Sequence, residues 1–166
     1  MFAVILGVVG ALIAAVATIG IVFVVGMRRK SALVQGAVIW VSKQFNKVAL
    51  RTAGQRDGAA ARIGHVGRTS GRTYETPVDA VATNDGFLIA LPYGLRSNWV
   101  RNVLASGTAT LGFEGQEYAV ARPEIIPLQT VETAFSHGNQ RMHRIFGVTE
   151  VLRLRRAETG EVGLAA

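Results

Sequence analysis

Residues 77–125 read PVDAVATNDGFLIALPYGLRSNWVRNVLASGTATLGFEGQEYAVARPEI, and this stretch decides the fold. Two largely apolar runs, Pro77–Thr83 and Phe87–Leu91, flank Asn84-Asp85-Gly86. Asp-Gly tolerates the positive φ of a tight turn, so the pattern predicts a β-hairpin. Thr108–Phe113 and Glu117–Ile125 flank Glu114-Gly115-Gln116 and predict a second hairpin. Between the two lies a short helix, Asn98–Ala105, with Ser97 as N-cap and Gly107 beyond its end. Working outward, Ala61–Val66 and Val151–Arg155 alternate as strands, and Pro127 opens a helix to about Phe135. The expected class is α+β: a small barrel of about six mostly antiparallel strands with peripheral helices.

The chain before this domain is of another kind. Residues 1–27 carry no charged side chain, and Phe2 to Val25 is an almost unbroken apolar run. As a helix it is roughly 36 Å long, enough to cross a hydrocarbon core of about 30 Å with some tilt. A cleaved signal peptide begins with a basic region, and none precedes this run, although Ala15-Val16-Ala17 looks like a cleavage site. Arg28, Arg29 and Lys30 abut the run, so the reading is a single-pass anchor, N-terminus outside and domain cytoplasmic. Such an anchor is expected only to raise local concentration at the membrane. Ser31 to Leu50 has the three- and four-residue apolar spacing of an amphipathic helix, through Val34, Val38, Val41, Phe45 and Val48. The organisation is therefore an anchor (1–27), an amphipathic helix and connector (28–58), a barrel domain (59–156) and a loose tail (157–166).

All 18 Lys+Arg and 11 Asp+Glu lie beyond residue 27, so the +7 charge belongs to the remainder and favours an anionic partner. Nucleic acid is not that partner, since aromatics are only 7% and no stacking motif occurs. Cysteine is absent, which excludes disulfides and thiolate chemistry. His65, His137 and His143 lack metal-ligand spacing, and no nucleophile motif or carboxylate pair stands out. An enzyme with this inventory needs a bound cofactor for its chemistry, and no single polar side chain, these histidines included, is expected to be an indispensable proton carrier. The cofactor candidates are two. Gly67-Arg68-Thr69-Ser70-Gly71-Arg72 offers backbone N–H groups, hydroxyls and two guanidiniums to a phosphate, though it is not a Walker loop. Leu91–Asn102 packs Tyr93, a Gly94 turn and the start of a capped helix into a few residues.

Taken in order, the Gly67–Arg72 loop, Thr76-Pro77, the Gly86 hairpin, then Ser97-Asn98-Trp99 with Asn102 resemble the deazaflavin-dependent nitroreductase family over about Arg62 to Ile126. The resemblance implies a split β-barrel that binds reduced coenzyme F420, an 8-hydroxy-5-deazaflavin. It places Arg68, Thr69, Ser70, Gly71 and Arg72 near the phosphate-bearing tail, followed by Thr76 and Pro77. It places Tyr93, Gly94, Ser97, Asn98, Trp99 and Asn102 near the ring system. Many relatives carry basic residues where this chain has Thr69 and Tyr74, so fewer charges meet the phosphate. The implied reaction is hydride transfer to an organic acceptor such as a nitro compound or, beside a membrane, a quinone. A barrel using FMN, and a non-catalytic tethered carrier of cofactor or lipid, are the alternatives; the resemblance also leaves room for a homodimer. The topology has a direct check. The mature protein in the membrane fraction should retain Met1–Val25 and expose its domain to the cytoplasm; an N-terminus found near residue 18 or beyond overturns this.

Overall fold

The computed structural model describes residues 2–29, 31, 33, 34, 36, 48–58 and 60–157. The amphipathic helix expected over 31–50, with Trp40, and the tail past 157 lie largely outside them. Helix α1 runs Phe2–Arg28. It is long and apolar enough to cross a membrane by length and composition, and large side chains along it, among them Ile5, Leu12, Ile13, Val16, Ile19 and Val22, stand exposed.

The domain contains strands β1 (Ala61–Val66), β2 (Thr73–Val78), β3 (Ala80–Ala82) and β4 (Gly86–Ala90), helix α2 (Asn98–Ser106), strands β5 (Thr108–Phe113) and β6 (Gln116–Pro127), helix α3 (His137–Phe146) and strand β7 (Glu150–Arg156). Seven strands form one antiparallel sheet in the order β2-β1-β5-β6-β7-β4-β3. Its two edges, β2 and β3, are separated in the chain by Asp79 alone. In a flat sheet the outermost of seven strands would be about 29 Å apart. Two residues of chain reach only about 7 Å. The sheet therefore has to curl until its edges meet, and the result is a split barrel on an α+β plan.

Its interior holds Ile63, Phe87, Ile89, Leu111, Leu152 and Leu154, and α2 closes it with Val100 and Val103. Strand β4 is buried along its whole length because its other face also packs: Leu88 and Ala90 meet Leu128, Phe135, Val148 and Val151. That double burial explains why Phe87–Leu91 is a continuous apolar run rather than an alternating one. Phe87 also packs against Phe113 and Tyr118, and the Arg156 guanidinium lies 5.4 and 5.2 Å from the Phe87 and Tyr118 ring centres.

Several expectations need correction. The α+β barrel of about six mostly antiparallel strands is found, with seven, but the single strand expected over Pro77–Thr83 is the end of β2 and all of β3, interrupted at Asp79. The first hairpin forms, but Asn84, Asp85 and Gly86 do not take positive φ. Gly86 is needed for close approach instead: a Cβ there would strike the Leu154 carbonyl oxygen and lie 2.8 Å from Arg155 Cα. The second hairpin does use left-handed backbone, at Glu114 (φ 50) and Gly115 (φ 79). The helix expected from Pro127 is two 3-10 turns, Leu128–Thr130 and Glu132–Ala134, while the α-helix follows at His137. Ser136 caps that helix by accepting from Asn139 N at 3.2 Å, and Gly147 ends it at φ 64.

The two glycines 86 and 138 should respond oppositely to alanine. Gly86→Ala should lower the unfolding free energy by about 1–3 kcal/mol through overpacking. Gly138→Ala, in α3 with only Ser136 Oγ at 3.8 Å, should raise it by about 0.4–1 kcal/mol. Urea melts of both variants decide it; a neutral Gly86→Ala would show that β4 and β7 are less tightly paired than described.

Candidate functional site

The Gly67–Arg72 loop is the connection of the β1–β2 hairpin, since Val66 pairs with Thr73. Gly67 N donates to Arg72 O and Gly71 N to Gly67 O, both at 2.8 Å, and Gly71 sits at φ 65. Gly67 is pressed into the loop, where a Cβ would lie 2.5 Å from Ser70 Oγ and 2.7 Å from the Tyr74 ring. The side chains of Arg68, Thr69, Ser70 and Arg72 are exposed. Ser70 Oγ lies 3.1 Å from Tyr74 Oη and accepts from Arg72 N at 3.4 Å.

A buried brace ties this loop to α2. Asn102 Oδ1 accepts from Arg68 N at 3.2 Å and from Arg68 Nη1 at 3.0 Å. With the oxygen so placed, Asn102 Nδ2 donates to His65 Nδ1 at 3.1 Å. The ring proton then belongs on Nε2, which donates to Thr76 Oγ1 at 3.2 Å. Burial holds the His65 pKa below its ordinary value, in keeping with a neutral ring whose Nδ1 accepts. Sequence reasoning weighed His65 as a metal ligand and as a proton carrier, not as a brace. The signal was the alternation of β1, which turns His65 inward with Ala61 and Ile63.

Tyr93, Trp99 and Pro77 come together elsewhere, on the wall of a cavity of about 350 Å³ between the barrel, α1 and α3. Gly94, buried at φ 63, supports Tyr93 by opening the 3-10 turn Gly94–Arg96, with its N–H on Leu91 O at 2.9 Å. Ser97 stands at the N-cap of α2 without a side-chain capping bond, and Asn98 is exposed. The expected residues thus form two groups, the loop with its brace and the cavity, joined at Thr76-Pro77: Thr76 completes the brace and Pro77 lines the cavity.

The cavity brings residues that sequence reasoning did not select. Phe23 and Met27 of α1 line it, Phe23 meets Phe146 of α3 edge-on at 5.9 Å, and Met27 is 3% exposed. The apolar helix is therefore part of the wall and more than a tether. Asp79, Asn139 and His143 supply polar atoms, with Asn139 Nδ2 donating to Asp79 Oδ2 at 2.8 Å. Burial pushes the Asp79 carboxyl up, with His143 pulling it the other way. Burial pushes His143 down, opposed by Asp79 and Glu132. The His143 ring stands edge-on to Phe135, and its Nδ1 is buried without a hydrogen-bond partner among the described residues. Among those residues no group of three or more His, Cys, Asp and Glu is placed to hold a metal.

No family profile and no curated protein matches the chain by sequence. Solved structures of similar course include an F420-H2 dependent reductase, FDR-A, at 13% identity and TM-score 0.42, covering 57% of this chain and 92% of that one. An F420 reductase aligns at 9% identity and TM-score 0.44, covering 60% and 86%. The haem storage protein HutZ from Vibrio cholerae aligns at 12% identity and TM-score 0.44, covering 62% and 85%. These likenesses concern the course of the chain, and no residue role is carried over from them.

The two depressed histidines give stability a definite pH dependence. Both ordinarily titrate near 6.5 and do so lower when folded, so protonation favours the unfolded chain. Stability should be full above pH 6.5 and fall as the pH drops through that value towards the folded pKa values. Asp79, raised from 3.8, works in the opposite direction at lower pH. Urea midpoints at pH 7.5 and 5.5 should differ, and His65→Gln should narrow the difference; equal midpoints in the parent protein would refute the neutral-histidine assignment.

Proposed function

We propose that the protein is a membrane-anchored, deazaflavin-dependent oxidoreductase that passes a hydride from reduced coenzyme F420 to an organic acceptor, a nitro compound or quinone. The observation that carries the reading is the pairing of an arginine-bearing hairpin loop with an apolar, aromatic-walled cavity one strand away. From Arg72 to Pro77 the chain covers about 17 Å as a strand, a span suited to a cofactor with a ring at one end and a phosphate tail at the other. The residues present fit such a group. Arg68 has one Nη1 contact to Asn102, and a guanidinium has five N–H donors, so others remain for an anion. Arg72, Thr69 and Ser70 add a second charge and two hydroxyls on the same exposed loop. Tyr93 and Trp99 offer flat faces to a ring, and the cavity volume lies within the ~300–1,000 Å³ usual for small-molecule sites.

The bound deazaflavin supplies the hydride. The protein's part is to hold donor and acceptor close and to keep water away. Asn102 and His65 fix the loop against α2 so that Arg68 meets the tail in one orientation. Trp99 and Tyr93 shape the ring pocket, where a displacement of about 1 Å costs on the order of a hundredfold in rate. Helix α1 is the anchor, and Arg28, Arg29 and Lys30 after it support a cytoplasmic domain.

Binding of F420 to the full chain in detergent, followed by deazaflavin fluorescence, tests the reading. Arg68→Ala and Arg72→Ala should each weaken binding by about 1.5–3 kcal/mol, the worth of a charged hydrogen bond. The loss should shrink for the deazaflavin without its phosphate tail. Equal losses for both forms would place the arginines elsewhere. Stopped-flow oxidation with nitro compounds and quinones completes the test; a cofactor that binds but is oxidised by none of them makes the protein a carrier.

A further inference from the structure

We infer that the α1–α3 side of the cavity, beside the Tyr93 and Trp99 wall proposed for the deazaflavin ring, receives the acceptor, and receives it as a lipid-soluble molecule without negative charge whose hydrogen-bonding head is held by Asp79, Asn139 and His143. The word acceptor rests on the oxidoreductase reading; the binding site rests on the geometry alone.

Most of the lining is hydrocarbon, aromatic ring or thioether, and apart from the Tyr93 hydroxyl and the Trp99 indole N–H its polar side-chain atoms belong to three residues. Asp79 comes from the bend, and Asn139 and His143 come from successive turns of α3. Asn139 locks one oxygen of Asp79, leaving Oδ1 as an acceptor towards a ligand hydroxyl. His143 is 6% exposed; its Nδ1 is wholly covered, which leaves Nε2 as the ring nitrogen able to meet a ligand. Among the described residues no lysine or arginine lines the cavity, so a ligand anion would meet no counter-charge from them. Burial also moves His143 towards its neutral form, and an anionic head would face the Asp79 carboxyl with no cation from the described residues to offset it.

The place of α1 names the source of the ligand. Phe23 and Met27 belong to its last two turns, beside Arg28. If the helix spans a bilayer, the cavity lies where acyl chains give way to headgroups, and a lipid-dissolved molecule reaches it along the helix. A molecule with an apolar body and a polar end is oriented by that boundary as it enters.

Methionines provide an internal reference. The chain has three, Met1, Met27 and Met142, and two of them line the cavity. The full chain, labelled with ¹³C at the methionine methyls and held in lipid nanodiscs without deazaflavin, is titrated with 2-naphthol. The same ring bearing a charge, 2-naphthoate, is the comparison. The Met27 and Met142 signals, assigned by Met27→Leu and Met142→Leu, should shift saturably while Met1 stays in place. Naphthoate should bind at least about tenfold more weakly, and His143→Leu and Asn139→Ala should each weaken naphthol about tenfold, the scale of one lost buried hydrogen bond. Drift of all three signals without saturation, equal binding of naphthoate, or variants that bind as the parent does each overturns the site. A chain that binds naphthol in the expected pattern but no F420 keeps the site and loses the oxidoreductase reading; the reverse result keeps that reading and removes this site.

Discussion

One residue, Asp79, joins the two edges of the sheet, and the rest of the architecture follows from that constraint. Because β2 and β3 are consecutive in the chain but at opposite ends of the strand order, the sheet cannot open without breaking their connection. Curling creates an interior for Phe87, Ile89 and Leu152 and an end for α2 to plug. The bend also leaves a notch where the strand changes sheet edge. The 350 Å³ cavity forms at that notch, with Pro77, Val78 and Asp79 on its rim and α3 across from them. A site built there is attached to the connection that keeps the barrel closed, and a fixed frame is what positioning chemistry requires.

The buried brace performs the same service for the exposed loop. A glycine-bearing hairpin loop would by itself sample many shapes, and fixing it costs conformational entropy. Asn102 offsets part of that cost by holding Arg68 through both its backbone and its guanidinium. His65 and Thr76 hold Asn102 in turn, so that a loop, a helix and two strands share one hydrogen-bonded line. The line is polar and buried, and its worth depends on every member being satisfied. That explains why His65 is neutral: a proton on Nδ1 would leave Asn102 Nδ2 facing another donor.

Much of the barrel was legible in the sequence because its signals are local. The 114–115 turn and the αL glycine after α2 announce themselves through residue type, and β5 was readable to its ends. The bend at Asp79 was not legible, because nothing in Pro77–Thr83 marks a strand that changes its pairing partner. Helix α3 was hidden by its composition: His137–Phe146 has few apolar residues, and its cap at Ser136 stood just past the end of the helix expected from Pro127. For the site, the Gly67–Arg72 loop and the pair Tyr93 and Trp99 could be named from residue type. The gathering of Asp79, Asn139 and His143 could not, since it depends on contacts across 60 residues and on a helix that was not foreseen.

The position of α1 bears on how such a chain can be dissected. An anchor that only tethers can be removed without touching the domain, and the apolar run was first read in that way. Phe23 against Phe146, and Met27 almost wholly covered, join the last turns of the helix to α3. Gly147, which ends α3, lies against Arg28, at an ordinary contact distance for a Cβ built there. Cutting the chain after residue 27 therefore uncovers Phe146 and opens one wall of the cavity as well as removing the apolar run. Loss of a ligand in such a truncation reports the missing wall together with the missing run. Separating the two requires a cut before Phe23 that keeps the packed turns and discards the rest of the apolar run. The physical unit that holds the site is thus the barrel with the end of α1 attached.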